Sequence, residues 1–305
     1  MQLVPGHIPV LSVSPRNLQE YYELFEILQS KLAAEGLRIA ILDEKSLSGS
    51  ADDCRRSIND TSVKCDLVII MSTTIATARR LVFGHSGAEH PADVFACRDE
   101  KALADCSAGI LDWLTACIDK TPLFGCILIG GKSSRMGRPK HLIKVDDNVT
   151  WLERTINLLA PFTTDIMISG EGEIPAHLAR FKRIQDIPGS SGPLSGVGAA
   201  LQALPLVSWL VLACDMPDIS DKGIRWLLAR RRPGMAAVIP RNPLSDRSEP
   251  LCAWYDFRSA PLVEDMLARG ELRIRRLCGQ DGVYEPVIPA ALCSCWRNVN
   301  RPDQI

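Results

Sequence analysis

Glycines and cations follow a short apolar run in residues 124–140, and these residue types suit phosphate binding. The apolar run 124–129 predicts a buried strand, and Gly130 and Gly131 follow it. Four spaced cations come next: Lys132, Arg135, Arg138 and Lys140. Glycines at a strand end bring backbone N–H groups close to phosphate oxygens, and Arg and Lys neutralise the phosphate charge. A Gly-Gly pair alone is commonly an ordinary turn, but the added cations favour a triphosphate-binding loop.

A second stretch, residues 184–204, combines a carboxylate with a glycine-rich helix start. Asp186 follows a short apolar run and is expected at the carboxyl end of a strand. Pro193 is placed to begin a helix through Leu204. The N-terminus of that helix would offer free N–H groups to an anion or a base edge. A Gly-Pro helix start is equally common as a purely structural feature.

The third candidate is Asp215, which follows the strongly apolar run 209–213. A carboxylate at the end of a buried strand can hold Mg²⁺, which prefers oxygen ligands. Aspartate also heads many turns, and Pro217 lies two residues further on. The metal interpretation is favoured once the glycine loop is on a neighbouring strand, because open α/β sheets bind ligands at the carboxyl ends of their strands.

Length and composition indicate an ordinary globular protein of two domains. The chain has 305 residues, of which 46% are hydrophobic and 23% charged, and its formal net charge is −1. This balance predicts neither nucleic-acid nor membrane partners, and no apolar run approaches the roughly 18 residues of a membrane span. The N-terminus has no basic segment typical of a secretory signal, so we expect a cytoplasmic protein. The eleven cysteines are scattered without disulfide spacing, and the close pair Cys293 and Cys295 is expected to be idle or buried thiols.

Strand and helix patterns alternate through residues 1–120. Strands are predicted at 7–13, 37–42 and 66–71, with a helix after the first and a closing helix at 103–118. This alternation predicts a small α/β domain with a parallel sheet. A short linker at 119–122 then leads to a second domain, residues 121–305.

The second domain continues the α/β pattern. Helices are expected at 150–160, 221–232 and 260–269, and further strands at 165–169, 236–240 and 251–257, with a polar loop at 241–249. Arginines 230–232 are interpreted as complementing the helix dipole. Arg273, after the last helix, either meets a phosphate of a second substrate or lies on a solvated face.

Five motifs in this order resemble the molybdenum cofactor guanylyltransferase (MobA) family over residues 124–303. They are LIGGKSSRMGRPK, Asp186 before PGSSGPLSG, LACDMP, EPLCAWY and NVNRPD. The resemblance implies an α/β fold for residues 121–305, a Rossmann-like nucleotidyltransferase domain of the nucleotide-diphospho-sugar transferase type. The smaller α/β domain would precede it.

The resemblance also implies roles for individual residues. GTP would be bound by backbone groups of Leu128, Ile129, Gly130 and Gly131. Arg135 would contact the triphosphate, and Lys140 and Asp186 would contact the nucleotide. Asp215 would bind both GTP and Mg²⁺, while Asn298 and Asn300 would lie on the molybdopterin side. Two positions depart from the family pattern. Ile129 replaces a small alanine, and Ser169 stands where an asparagine often contacts the guanine nucleotide.

The implied reaction is transfer of GMP from GTP to the phosphate of molybdopterin, with Mg²⁺ as cofactor. Arg135, Lys140 and Asp215 are the expected catalytic residues. The attacking phosphate oxygen is already ionised, so the reaction needs positioning and charge neutralisation rather than a general base.

The first domain weakly resembles the P-loop domain of the MobB family, the guanine-nucleotide-binding partner in molybdenum cofactor assembly. In an ungapped superposition the phosphate-binding Gly-Lys-Thr falls on Glu20, Tyr21 and Tyr22. A carboxylate repels phosphate, and both the lysine and the magnesium-binding hydroxyl are missing. We therefore expect residues 1–120 to be a degenerate, non-catalytic domain that serves as a spacer or docks a partner, such as a molybdoenzyme or a cofactor-assembly protein.

Three alternatives remain at this point. A molybdopterin cytidylyltransferase using CTP usually has Ala-Ala-Gly in the first loop, whereas Gly130, Gly131 and the GPLSG motif favour guanine. A sugar-1-phosphate nucleotidyltransferase fits the NVNRPD ending less well. The third alternative is a non-catalytic cofactor carrier or adaptor, which the missing P-loop motif of the first domain suggests.

Overall fold

The chain folds into two compact units in this computed structural model. One unit comprises residues 1–121 and 232–234, and the other comprises residues 122–231 and 235–305. The structure describes residues 7–43, 45–47, 50–72, 75, 77, 79–84, 94–129, 139–145 and 149–299.

The first unit is a parallel five-stranded sheet with flanking helices. Its strands have the order β2-β3-β1-β4-β5, and every neighbouring pair is parallel. In chain order its elements are β1 (Val10–Val13), α1 (Pro15–Glu20), α2 (Tyr22–Ala34), β2 (Ile39–Asp43), α3 (Ala51–Ser62), β3 (Leu67–Met71), β4 (Arg79–Phe83), β5 (Val94–Cys97) and α4 (Leu103–Lys120). The predicted parallel α/β arrangement is therefore confirmed, and α3, β4 and β5 are additions to it.

The chain passes from β1 to α1 without a glycine loop. Ser14 alone separates the two elements. Tyr21 stands between α1 and α2, and its ring lies so close to Gly84 that a Cβ atom there would be 2.4 Å from the Tyr21 ring. Asn17 also binds the backbone of Phe83, donating to its carbonyl oxygen and accepting from its N–H, both at 2.7 Å. Side chains thus pack closely between the first helices and β4.

The second unit is built on a mixed seven-stranded sheet of order β14-β10-β13-β9-β6-β7-β8. Its elements are β6 (Leu123–Leu128), α5 (Trp151–Leu159), β7 (Ile166–Ser169), β8 (Lys182–Ile184), α6 (Pro193–Ala203), β9 (Ser208–Ala213), α7 (Asp221–Leu228), β10 (Ala237–Val238), β11 (Arg241–Asn242), β12 (Arg247–Ser248), β13 (Cys252–Tyr255), α8 (Ala260–Ala268) and β14 (Val283–Tyr284). Strands β9, β6, β7 and β8 are mutually parallel, whereas β13 runs antiparallel to both β9 and β10. The α/β fold class is as predicted.

Local sequence signals explain where helix α5 begins and which of its residues face the core. Thr150 accepts a hydrogen bond from the Glu153 backbone N–H, and Glu153 accepts one from the Thr150 N–H, which forms a capping box. Five residues of α5 are buried against the sheet: Trp151, Leu152, Thr155, Ile156 and Leu159. The central strands β6 and β9 are almost wholly buried, as covered parallel strands require.

Three sequence predictions need correction here. Helix α4 runs to Lys120, so the linker shrinks to residues 121–122. Helix α7 ends at Leu228, before the arginines at 230–232, although Arg231 Nε still donates to the Leu228 carbonyl at 2.9 Å. The polar loop 241–249 contains the hairpin β11–β12.

No helix within the described ranges has both the length and the apolar character of a membrane span.

Candidate active site

Four parallel strands of the second unit end at one edge of the sheet. Leu128 at the end of β6 pairs with Ser169 of β7 and with Ala213 of β9, and Ser169 pairs with Ile184 of β8. The residues that follow these strands therefore leave the sheet on the same side. Among them are three predicted site positions: Ile129, Asp186 and Asp215.

Lys140 and Asp215 form an ion pair at this edge. Lys140 Nζ lies 2.8 Å from Asp215 Oδ2, and the two side chains are only 18% and 21% exposed. Lys140 begins a short 3₁₀ helix, Lys140–Leu142, while Asp215 lies in the turn after β9. The structure thus brings together a cation and a carboxylate that sequence analysis placed in different motifs.

The second oxygen of Asp215 has the character of a metal ligand. Asp215 Oδ1 is buried and has no hydrogen-bond partner within the described part of the chain. A carboxylate oxygen fits Mg²⁺, which keeps several waters and usually takes one or two protein carboxylates together with substrate phosphates. No cluster of three or more His, Cys, Asp or Glu side chains suited to a metal is found among the described residues. Asp215 would therefore hold such an ion with help from substrate oxygens and water.

The C-terminal segment reaches the same turn. The Val299 N–H donates to the Asp215 carbonyl oxygen at 2.9 Å, and the Val299 side chain is buried with Ile143 and Trp151. This anchoring brings the preceding residue, Asn298, beside Asp215.

Glu249 is a site residue that sequence analysis missed. It is 7% exposed, and its Oε2 accepts a hydrogen bond from Asn298 Nδ2 at 3.3 Å. Burial raises the pKa of Glu249, and the charge of Asp215 adds to this rise, while Arg275, Asn298 and Arg247 oppose it. The one available signal was its place at the start of the EPLCAWY motif. Arg275, rather than Arg273, is the downstream arginine whose charge acts on this carboxyl.

Asp186 follows β8, the outer strand of the parallel set, and lies near the start of α6. Burial raises the pKa of its carboxyl, and the nearby charge of Glu171 contributes in the same direction. The helix begins at Pro193 after Gly192, which has a φ of 86° that favours glycine. Ser195 Oγ accepts hydrogen bonds from the Ile187 N–H and from Ser190 Oγ, at 2.9 and 2.8 Å, and so ties the loop after Asp186 to the helix.

Gly196 lets α6 approach the sheet closely. A Cβ atom at this position would lie 2.8 Å from Leu128 Cδ2 and 2.9 Å from Ser169 Oγ. Ser169 is therefore covered by α6 and is 1% exposed. Its hydroxyl is buried and has no hydrogen-bond partner among the described residues.

Ile129, the other departure from the family pattern, is also internal. It is 6% exposed, and its N–H donates to the Ser169 carbonyl at 3.0 Å. Its side chain lies near Gly172, where a built Cβ atom would be 3.9 Å from Ile129 Cδ1 and 3.1 Å from His141 Cε1. The branched side chain thus packs beside the loop after β7.

His141 anchors that loop. It is 2% exposed, and its Nε2 lies 2.8 Å from the Glu173 carbonyl oxygen, so Nε2–H is the donor. Burial lowers the pKa of His141, the hydrogen bond to Glu173 opposes this, and the charge of Arg183 lowers the pKa further. Lys140 and His141 are adjacent, so one short helix connects the ion pair to the loop after β7.

Four predicted site residues lie outside the described residues: Gly130, Gly131, Arg135 and Asn300.

Cys293 is a buried thiol close to the carbonyl oxygens of Ile288 and Pro289, and Cys295 lies beside Ser220. The eleven cysteines all lie in the described ranges, and none of them forms a disulfide there.

Open α/β sheets bind ligands at this edge, and the sequence of the second unit is that of a nucleotidyltransferase. Residues 125–283 match the sequence model of the MobA-like NTP transferase domain, and the chain belongs to this family.

The chain is similar to named relatives and to solved structures. The chain is 33% identical over 153 residues to the "Probable molybdenum cofactor guanylyltransferase" of Clostridium perfringens strain SM101, a match that covers 50% of this chain and 75% of that protein. It is also 33% identical over 143 residues to the "Molybdenum cofactor biosynthesis bifunctional protein" of Synechocystis, covering 45% of this chain and 40% of that protein. The crystal structure of molybdopterin-guanine dinucleotide biosynthesis protein A from Archaeoglobus fulgidus has a TM-score of 0.48 at 24% identity, and covers 59% of this chain and 93% of that one.

Proposed function

We propose that this protein transfers GMP from GTP to the terminal phosphate of molybdopterin, giving molybdopterin guanine dinucleotide and pyrophosphate. The observation that carries the proposal is the Lys140–Asp215 pair, 2.8 Å apart, at the carboxyl edge of the parallel strands. The names of the relatives support the same substrates. Gly130, Gly131 and the GPLSG motif support guanine over cytosine.

The chemistry needs little covalent help from the chain. An ionised oxygen of the acceptor phosphate forms a bond to the α-phosphorus of GTP, and the bond from that phosphorus to the bridging oxygen of the β-phosphate breaks. Pyrophosphate leaves with the electron pair of that bond. Lys140 and Arg135 are assigned to the negative charge on the departing pyrophosphate, because fixed cations there cost no reorganisation during the reaction.

The remaining residues bind and orient. We assign Asp186 to hydrogen-bond donors of the nucleoside and Asp215 to the metal. Asn298 and Asn300 are assigned to binding molybdopterin, the substrate that accepts GMP. Mg²⁺, when bound, neutralises charge on the triphosphate. The buried, unpartnered Oδ1 of Asp215 supports this last role.

We further propose that the first unit is not a second nucleotide site. The single-residue connection between β1 and α1 and the packing of Tyr21 on Gly84 support this view. Docking of a molybdoenzyme or a cofactor-assembly protein is the role assigned to it.

The test is transfer of label from each of the four α-³²P-labelled NTPs to molybdopterin in the presence of Mg²⁺. Label is expected in the pterin product only from GTP, with one pyrophosphate released per transfer. Label entering only from CTP would replace the guanylyl assignment with a cytidylyl one. If no nucleotide gave pyrophosphate, the carrier alternative would hold instead.

A further inference from the structure

Glu249 is a buried carboxylate, and its side chain has one hydrogen-bond partner among the described residues. It lies between β12 and β13, where its N–H donates to Pro240 at 2.8 Å and its carbonyl accepts from Cys252 at 3.1 Å. The residue is almost completely buried, at 7% exposure. Within the described ranges its hydrogen-bond partner is Asn298 Nδ2. Burying a carboxylate is costly, and the charges of Arg275 and Arg247 offset this cost only in part, so the arrangement suggests a use beyond packing.

The contact fixes the direction of the Asn298 amide. An ionised carboxylate can only accept hydrogen bonds, whereas an amide has a donating NH₂ end and an accepting oxygen end. Glu249 therefore holds the NH₂ end of Asn298 toward itself, and Oδ1 is directed elsewhere. Asn298 is half-buried, and its Oδ1 has no hydrogen-bond partner in the described part of the chain.

The oriented amide lies beside the proposed reaction site. The residue after Asn298 donates its N–H to the Asp215 carbonyl, and Asp215 in turn pairs with Lys140. Glu249 is also close enough for the charge of Asp215 to act on its carboxyl. An amide oxygen here would repel phosphate oxygens and attract N–H or O–H donors.

We propose that Glu249 is a positioning residue that holds Asn298 so that its Oδ1 accepts a hydrogen bond from a ring N–H donor of the pterin acceptor. This inference rests on the proposed function, since it takes the acceptor to be a pterin phosphate. It gives Asn298 a role in recognising the ring of the acceptor rather than its phosphate.

A double-mutant cycle on the full-length chain tests this coupling. Glu249→Ala and Asn298→Ala are each expected to raise the KM for molybdopterin about tenfold, the range of one hydrogen bond to a charged or oriented group. The double variant is expected to show about the same tenfold rise rather than about a hundredfold, because Glu249 acts through Asn298. The KM for GTP should not change in any of them.

Two further variants separate positioning from general damage. Glu249→Gln keeps the shape but can donate as well as accept, so the amide loses its single orientation and KM should rise by about threefold. Asp246→Asn removes an exposed carboxylate between β11 and β12 and should leave KM at the wild-type value. Additive losses in the double variant, or a KM for GTP that rises in parallel, would overturn the proposal.

Direct binding distinguishes this inference from the proposed function. Neopterin monophosphate, a fluorescent pterin phosphate, is titrated into wild type, Glu249→Gln and Asn298→Ala without nucleotide. Weaker binding by both variants supports the inference even if wild type transfers no GMP, in which case only the proposed function fails. Equal binding by all three, or none by wild type, would overturn the inference.

Discussion

Lys140 Nζ and Asp215 Oδ2 are 2.8 Å apart although 75 residues separate them in the chain. The pair joins the segment after the glycine loop to the end of the central strand β9. The fold shields most of each side chain from solvent, at 18% and 21% exposure, so each charge compensates the other before substrate arrives. Phosphate and metal would then compete for the same two groups, which is the physical basis of the first prediction.

Removing the charge of Asp215 should abolish catalysis and leave the fold intact. We expect Asp215→Asn to lower GMP transfer by at least about a hundredfold, the order of loss for a group that stabilises transition-state charge. Thermal unfolding should shift little, because the turn is also held by the backbone contact from Val299. The measurement is pyrophosphate release together with a melting curve.

Asp221→Asn is the matched control for that variant. Asp221 is an exposed aspartate in the first turn of α7, paired with Arg225, and it should retain full activity. Normal transfer by Asp215→Asn would remove Asp215 from the proposed machinery.

Gly196 sets the distance between α6 and the sheet. Gly196→Ala would place a methyl group 2.8 Å from Leu128 Cδ2, and overpacking of this kind costs about 1–3 kcal/mol in the free energy of unfolding. Since α6 would move away from the strand ends, the KM for GTP should rise as well. Urea unfolding and initial-rate kinetics measure the two effects.

Gln202→Ala serves as the control on the same helix. Gln202 is exposed, so its removal should change the unfolding free energy by less than about 0.5 kcal/mol. If Gly196→Ala were as stable as this control, the close approach of α6 would not require glycine.

The strand framework could be predicted because burial on both faces leaves a plain sequence signal. The runs that became β6 and β9 are continuous and apolar, and the capping pair Thr150 and Glu153 marks the start of α5. Helix α3 was missed because it is mostly polar, with Ile58 and Ser62 as its buried residues. Its capping signal at Ser50 was present but had no apolar periodicity to support it.

The polar contacts around the site could not be predicted in the same way. Glu249 and Asn298 are 49 residues apart, and their contact depends on where β13 pairs in the sheet and where Val299 is anchored. His141 and Glu173 likewise meet only after β7 is placed beside β6. The spacing of residues in the sequence does not predict such long-range contacts. The positions of Asp186 and Asp215 at strand ends, by contrast, can be predicted from the local apolar pattern alone.

The full-length chain is expected to bind one GTP. The resemblance of the first unit to a P-loop domain places Tyr21 where a phosphate-binding lysine is expected, so we predict that nucleotide binds only at the second unit. Lys140→Met should weaken GTP binding at least tenfold, while Tyr21→Phe should leave affinity and stoichiometry unchanged. Calorimetric titration with Mg²⁺ gives both quantities. A second GTP site that persists in Lys140→Met would contradict the loss of the nucleotide site in the first unit.

His141 should make the second unit sensitive to acid. Burial lowers the pKa of His141 below its ordinary value of 6.5, so the unfolded chain binds more protons than the folded one once the pH falls to that value. The contribution of His141 to stability is therefore complete above pH 6.5 and is lost as the pH falls through the lowered pKa. Urea unfolding of wild type and His141→Gln at pH 8, 7 and 5 isolates this effect, since the other titrating groups are common to both.

Wild type is expected to lose more unfolding free energy than His141→Gln between pH 7 and pH 5. Between pH 8 and pH 7 the two proteins should change in parallel, because His141 is largely neutral there in both folded and unfolded chains. Glutamine keeps an N–H donor for the Glu173 carbonyl, so the comparison removes titration with the least change in packing. Equal losses for the two proteins on acidification would mean that His141 is free to take up a proton in the folded state.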